Sequence, residues 1–267
     1  MKKIKVMGVA LGLTALTFAC VAQEEEDEGP VAYTYATYFY CGGGPLSRAD
    51  EIIADDADRM NGFVEDGTIM GWGWLAHHTG GGWQRAMYYQ AESIEALLNA
   101  YDTMNDDDGD DAAADEDDGP GFAEICPRHE DYIWQVDNGS TSDTRGPAGF
   151  SVYYMCDINK EERAGEIVDE HIAPILNGFV EEGKLASWGW STHVVGGRYR
   201  ALQTMTAADM QSLMAARGDV IAAVYADDSE AGAEFSEICG PHTDYLWDIQ
   251  ICLLYTSPSP RDPLRYL

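Results

Sequence analysis

NGFVEDGTIMGWGWLAHHTGGG, residues 61–82, returns as NGFVEEGKLASWGWSTHVVGGR, residues 177–198. The likeness extends outward in both directions. Upstream, YATYFYC ends at Cys41 and FSVYYMC ends at Cys156. Downstream, GFAEICPRHEDYIWQ begins at Gly121 and EFSEICGPHTDYLWD begins at Glu234. The chain therefore reads as two diverged copies of one unit, Tyr33–Asp137 and Phe150–Gln250, joined by a linker at 138–149. A residue kept in both copies is tied to the shared fold or to a duplicated site. A residue found in one copy only is the weaker functional candidate.

Within the first copy, Tyr33–Cys41 is rich in aromatic and β-branched residues and reads as a strand. Ser47 is placed to cap a helix running to Asp66, with Ile52, Ile53, Met60, Phe63 and Val64 at helical spacing and Gly67 as its stop. Ile69–His77 reads as a strand, and Gly80–Gly82 turns it into a second strand, Trp83–Tyr89. A short helix over Ser93–Thr103 and a last strand over His129–Val136 complete the unit. The second copy repeats the order, with Pro174 predicting a kink in its first long helix.

Acidic residues outnumber basic ones 47 to 16, a formal net charge of −31. Such a field repels nucleic acid and anionic membranes, which excludes both as partners. It fits a saline medium, where screening relieves self-repulsion. Two segments concentrate the charge: a tether, Gln23–Pro30, and Asp106–Asp118, which misses the EF-hand ligand spacing and reads as a solvated loop.

The first 22 residues read as an export signal. Lys2, Lys3 and Lys5 precede an apolar stretch, Val6–Phe18, that is too short to span a bilayer. Cleavage after Ala22 would release a soluble periplasmic or extracellular protein. Lipidation of Cys20 would instead anchor it to the outer membrane. At the other end, residues 252–262 (CLLYTSPSPRD) resemble a translated sequencing-library adapter, so 252–267 is set aside from the natural chain.

Without Cys20 and Cys252, four cysteines remain: Cys41, Cys126, Cys156 and Cys239. An even number in an exported chain reads as disulfides, with three connectivities open.

A strand-helix-strand-strand-helix-strand order is that of the ferredoxin-like unit. Two such units in one chain resemble the dimeric α+β barrel superfamily, over about Tyr33 to Gln250. The resemblance implies an α+β fold of two tandem ferredoxin-like units forming a pseudo-dimer within a monomer. It implies the sheet order 4-1-3-2 in each unit, which brings the end of the first strand beside the start of the fourth. That order selects the disulfides Cys41–Cys126 and Cys156–Cys239.

Matched polar and aromatic residues supply the candidate site. Trp72, Trp74 and His77 correspond to Trp188, Trp190 and His193, and Arg85 is paired with Arg200. These are the candidate ligand-binding residues, the tryptophans as core or as a stacking wall. His129 and Asp131 lie two apart on one strand face, as do His242 and Asp244. A carboxylate there can orient an imidazole and raise its basicity, which prepares a general base. These four are the candidate catalytic residues. His78 and His171 are unmatched and are assigned to the surface. Cys126 and His129 with Cys239 and His242 would form a zinc set only if the cysteines were free and the copies met there. Disulfides are the better use, so neither metal nor cofactor is expected. No nucleophile elbow, phosphate loop or dinucleotide fingerprint is present.

Three functions remain. A barrel lined by Tyr and Trp would suit an exported protein that binds a small apolar or aromatic ligand. The resemblance adds a cofactor-independent oxygenase-like enzyme, with a histidine as base and an arginine holding the anion. The third is a structural or interaction protein without a pocket.

Overall fold

The structure, a computed structural model, describes residues 32–106, 119–142, 145–226 and 229–254. The export signal with Cys20, the acidic tether, most of the Asp106–Asp118 stretch and the tail after Leu254 lie outside these residues.

Eight strands are formed: β1 (Ala32–Tyr40), β2 (Gly71–Gly80), β3 (Arg85–Ala91), β4 (Arg128–Thr141), β5 (Ala148–Tyr154), β6 (Ser187–Val195), β7 (Ala201–Ala207) and β8 (His242–Leu254). They close into one barrel in the ring order β1-β3-β2-β8-β5-β7-β6-β4, every neighbour antiparallel. This corrects the expectation of two tandem ferredoxin-like units. β2 pairs with β8 and β4 pairs with β6, so the outer strands of each half hydrogen-bond to the other half. Open edges would expose unpaired amides and carbonyls, and closure removes them.

Alternation in the strands builds two cores. In β1, Thr34, Ala36 and Tyr38 point into the lumen, while Tyr33, Tyr35 and Phe39 pack outward under helices. The outer layer of the first half is α1 (Leu46–Asp55), α2 (Ala57–Glu65), α3 (Ile94–Asp106) and the short α4 (Phe122–Ile125). The single helix expected from Ser47 to Asp66 is broken at Asp56, and no side chain caps its start. The second half carries α5 (Glu161–Ile167), α6 (Ala173–Glu181), α7 (Met210–Val224) and α8 (Glu230–Cys239). A π turn, Val168–Ile172, separates α5 from α6. Pro174 lacks the amide hydrogen that an α-helical ladder needs at its position, and the wider turn accommodates the gap.

The lumen holds a continuous aromatic cluster. Tyr38 stacks on Trp83 at 4.1 Å, Trp83 on Tyr245 at 5.0 Å, and Tyr245 on Trp247 at 4.9 Å. An eight-stranded barrel is just wide enough to be filled by side chains or to hold one small ligand. The glycine turns interlock the halves. A Cβ at Gly81 would overlap the Tyr245 hydroxyl, and one at Gly197 would overlap that of Tyr132. The Tyr245 hydroxyl accepts hydrogen bonds from the Gly82 and Trp83 amides at 2.8 and 3.3 Å.

The disulfides are Cys41–Cys126 and Cys156–Cys239, with sequence separations of 85 and 83. Loops of this length are worth about 4–5 kcal/mol each in the chain-entropy model. β8 runs on to Leu254, so Cys252, Leu253 and Leu254 pair with Gly73, Trp72 and Gly71. The strand therefore enters the stretch set aside at the sequence level. Among the described residues no helix is long and apolar enough to cross a membrane. Disulfides with no such helix are compatible with export.

Candidate functional site

The matched tryptophans lie outside the barrel wall, beneath the helices. Trp72 and Trp74 are fully buried in the first-half core, and Trp188 and Trp190 are buried in the second. The Trp72 Nε1 donates to Asn61 at 3.0 Å and the Trp188 Nε1 to Asn177 at 2.8 Å, so each NGFV segment anchors its own WGW segment. The Trp74 Nε1 donates to Asp50 at 2.9 Å. These three bonds fix helices to the wall; the Trp190 Nε1 is buried without a partner, and that ring packs against Tyr154 and Phe235.

Strand register corrects the pairing of Arg85 with Arg200. Phe39 faces Arg85 across β1 and β3, whereas Tyr154 faces Ala201 across β5 and β7. The Gln84 amide bonds Phe39 and the Arg200 amide bonds Tyr154, so Arg200 stands where the first half has Gln84. A one-residue shift moves a side chain to the opposite face. Arg85 points outward and is buried, its Nε and NH2 each 2.6 Å from the Asp50 carboxylate. Burial pushes the Asp50 carboxyl up, and the hydrogen bonds from Arg85 and Trp74 outweigh it, leaving the group below its usual value. Arg200 bonds Glu161 and reaches the His193 Nδ1 at 2.8 Å.

His77 and His193 sit at the glycine-turn end, each edge-on to a Tyr–Trp pair. For His77 these are Tyr245 and Trp247, and for His193 they are Tyr132 and Trp134. Burial, then the Arg200 charge, holds His193 below the usual imidazole value. Of the unmatched histidines, His78 is exposed beside Asp248. His171 is half-buried on the Val224 carbonyl at 3.0 Å, which corrects its assignment to the surface.

The two His–Asp pairs are not equivalent, and they do not meet. β4 and β8 lie on opposite sides of the ring. His129 Nδ1 lies 2.9 Å from Asp131 on an exposed part of the first half. His242 instead lines a cleft of about 170 Å³ between the wall and α7, α8. Its Nδ1 donates to the Gly240 carbonyl at 2.7 Å, which leaves Nε2 facing Asp244 Oδ1 at 3.6 Å. That carboxylate oxygen is buried and has no hydrogen-bond partner. The other oxygen accepts from Arg217 NH2 at 3.3 Å, and the guanidinium lies over the Phe150 ring at 4.6 Å. Tyr154 closes the cleft floor and donates to Gln203 at 3.1 Å. Burial raises the Tyr154 phenol, so it stays a neutral donor.

The register puts Phe39 opposite His129 where Tyr154 stands opposite His242. The corresponding cavity in the first half, about 150 Å³ and lined by Thr37, Met87, Tyr89, Tyr101 and Met104, has Tyr101 where the second half has Arg217, and no histidine lines it. Arg217, Tyr154 and Gln203 were not among the sequence candidates. Arg217 is visible in retrospect as a cation on the apolar face of α7, one residue from Ala216 and in line with Leu213 and Val220. Among the described residues no three His, Cys, Asp or Glu side chains cluster as metal ligands.

No family model and no curated protein matches the chain. Solved structures do. An anthrone oxidase-like protein aligns at 14% identity over 86% of this chain and 95% of its own, with a TM-score of 0.51. A presumed monooxygenase from Fusobacterium nucleatum subsp. nucleatum aligns at 10% identity over 85% and 99%, TM-score 0.52. Another from Lactobacillus acidophilus aligns at 9% identity over 85% and 100%, TM-score 0.50. At these identities the likeness is one of fold, that of the dimeric α+β barrel proteins.

Proposed function

We propose that the second-half cleft is the active site of an oxygenase-type enzyme that acts on a small, weakly acidic aromatic molecule without a cofactor. The observation that carries this reading is the arrangement of His242, Asp244 and Arg217. With Nδ1–H committed to Gly240, the neutral imidazole keeps the Nε2 lone pair free to take a proton. The imidazolium so formed gains the unpartnered Asp244 Oδ1 as its counter-charge. Arg217 is placed to hold the negative charge left on the substrate. A carbanion or phenolate is electron-rich enough to reduce dioxygen directly. At an activated methylene, one methylene and one dioxygen give one ketone carbonyl and one water. The carbon loses both hydrogens and is oxidised, and dioxygen is reduced, one of its atoms entering the carbonyl and the other the water.

The fold shared with an anthrone oxidase-like protein and presumed monooxygenases supports the reaction class. The cleft volume suits a compact aromatic molecule, since a cavity of about 150 Å³ admits benzene. Dioxygen uptake with resorcinol, a single weakly acidic ring, tests the reading. Uptake in the wild type is expected to fall about 10²-fold or more in His242→Ala, and to fall also in Arg217→Met. No uptake by the wild type, or uptake unchanged in His242→Ala, would overturn it.

A further inference from the structure

A second cavity, of about 130 Å³, lies inside the barrel, across the wall from the cleft. One side of it is aromatic: Tyr38, Tyr88, Trp134 and Trp247. Space for the Tyr88 ring exists because residue 73 is glycine; a Cβ there would fall 2.5 Å from the ring. The other side is hydroxylic and comes from the second half: Ser151, Ser187, Ser191 and Thr206, only 5, 4, 8 and 6% exposed. Ser187 and Thr206 bond each other at 2.7 Å.

Arg145 closes one end. Its NH1 donates to the Tyr88 hydroxyl at 3.0 Å, and that hydroxyl lies 3.4 Å from Cys252 Sγ. The Arg145 Nε is buried with no partner, and no described carboxylate pairs with the guanidinium. This is not for want of acids in a chain of net charge −31. Arg48, Arg59, Arg85, Arg163, Arg200 and Arg217 each have a carboxylate partner. A cation kept in a cavity without a counter-ion is unfavourable until an anion joins it. Burial raises the Tyr88 phenol, so it stays protonated and can donate to such an anion.

We infer that the lumen binds a small aromatic carboxylate, its oxygens on Arg145 and Tyr88 and its ring against Trp134 and Trp247. The planar guanidinium suits a carboxylate fork. The volume matches one ring, and the facing hydroxyls admit polar ring substituents. This site is independent of the outer cleft.

Calorimetric titration of the full oxidised chain with sodium benzoate is the test. Saturable binding is expected, weakened at least tenfold in Arg145→Met and less in Tyr88→Phe. Gly189→Val should abolish binding with every charge in place, because a Cβ at 189 already comes within 3.0 Å of Thr204 Oγ1. His242→Ala should bind benzoate as the wild type does. Melting curves without ligand show which variants fold; if Arg145→Met does not, Gly189→Val and Tyr88→Phe carry the test. No binding by the wild type, equal affinity in Arg145→Met or Gly189→Val, or loss in His242→Ala would overturn the inference.

Discussion

Replacing Arg85 by alanine should destabilise the protein far more than the same change at Arg200, although matching by residue type pairs the two. The Arg85 and Asp50 side chains are 7 and 21% exposed, and their contact is bidentate. Its removal leaves a carboxylate beneath α1 with only the Trp74 indole and the Gln250 amide as side-chain donors. Breaking a buried pair costs about 3–5 kcal/mol, and the partial access of Asp50 to water places the loss at the lower end, about 3 kcal/mol. The Arg200 and Glu161 side chains are 24 and 28% exposed, and such a pair is worth about 1 kcal/mol or less. With a urea slope of about 3 kcal/mol per molar for a chain of this size, the midpoints should fall by ~1 M and ~0.3 M. Urea unfolding with disulfides intact, followed by tryptophan fluorescence and far-ultraviolet circular dichroism, measures both. Equal shifts, or a larger one for Arg200→Ala, would refute the assignment of these arginines to different faces.

Other consequences are as direct. Paired serine substitution of Cys156 and Cys239 should remove up to about 4–5 kcal/mol, seen as a large drop in melting temperature; an unchanged value would mean that the bridge constrains nothing. His193 is held below its ordinary value in the folded state, so the unfolded chain binds its proton first as pH falls. Stability should therefore decline on acidification from just above pH ~6.5 down to the folded value, and His193→Gln should remove that part of the slope. Gly81→Ala should lower the melting temperature by forcing the turn away from Tyr245, whereas Gly62→Ala, with open space around it, should not. Added sodium chloride should raise the melting temperature of a chain with net charge −31, and a flat response would remove self-repulsion as a factor.

The repeat made the strands legible because they depend on local pattern, and the cysteine pairs followed from the sheet order that the resemblance implied. Barrel closure was not legible. It rests on β2 with β8 and β4 with β6, pairings between halves that no periodicity within one half encodes. The arginine misalignment has a smaller cause. The first turn carries three glycines, Gly80–Gly82, where the second carries two, Gly196 and Gly197, so pairing the arginines skips one residue; the ladder register sets Gln84 against Arg200. Weighting residues by their presence in both copies put His242 and Asp244 among the candidates, and the proposed site uses them. The same rule hid Arg217, Tyr154 and Arg145, whose value lies in being unmatched. It also drew in Trp72, Trp74, Trp188 and Trp190, all buried under the helices, of which Trp72 and Trp188 fasten helices in the same way in both halves.

The asymmetry between the halves is tested most directly by comparing His129→Ala with His242→Ala in steady-state dioxygen uptake with resorcinol. Uptake at the wild-type rate in His129→Ala and about 10²-fold slower uptake in His242→Ala is the expected pair of results. Equal losses in the two variants would contradict a single site in the second-half cleft.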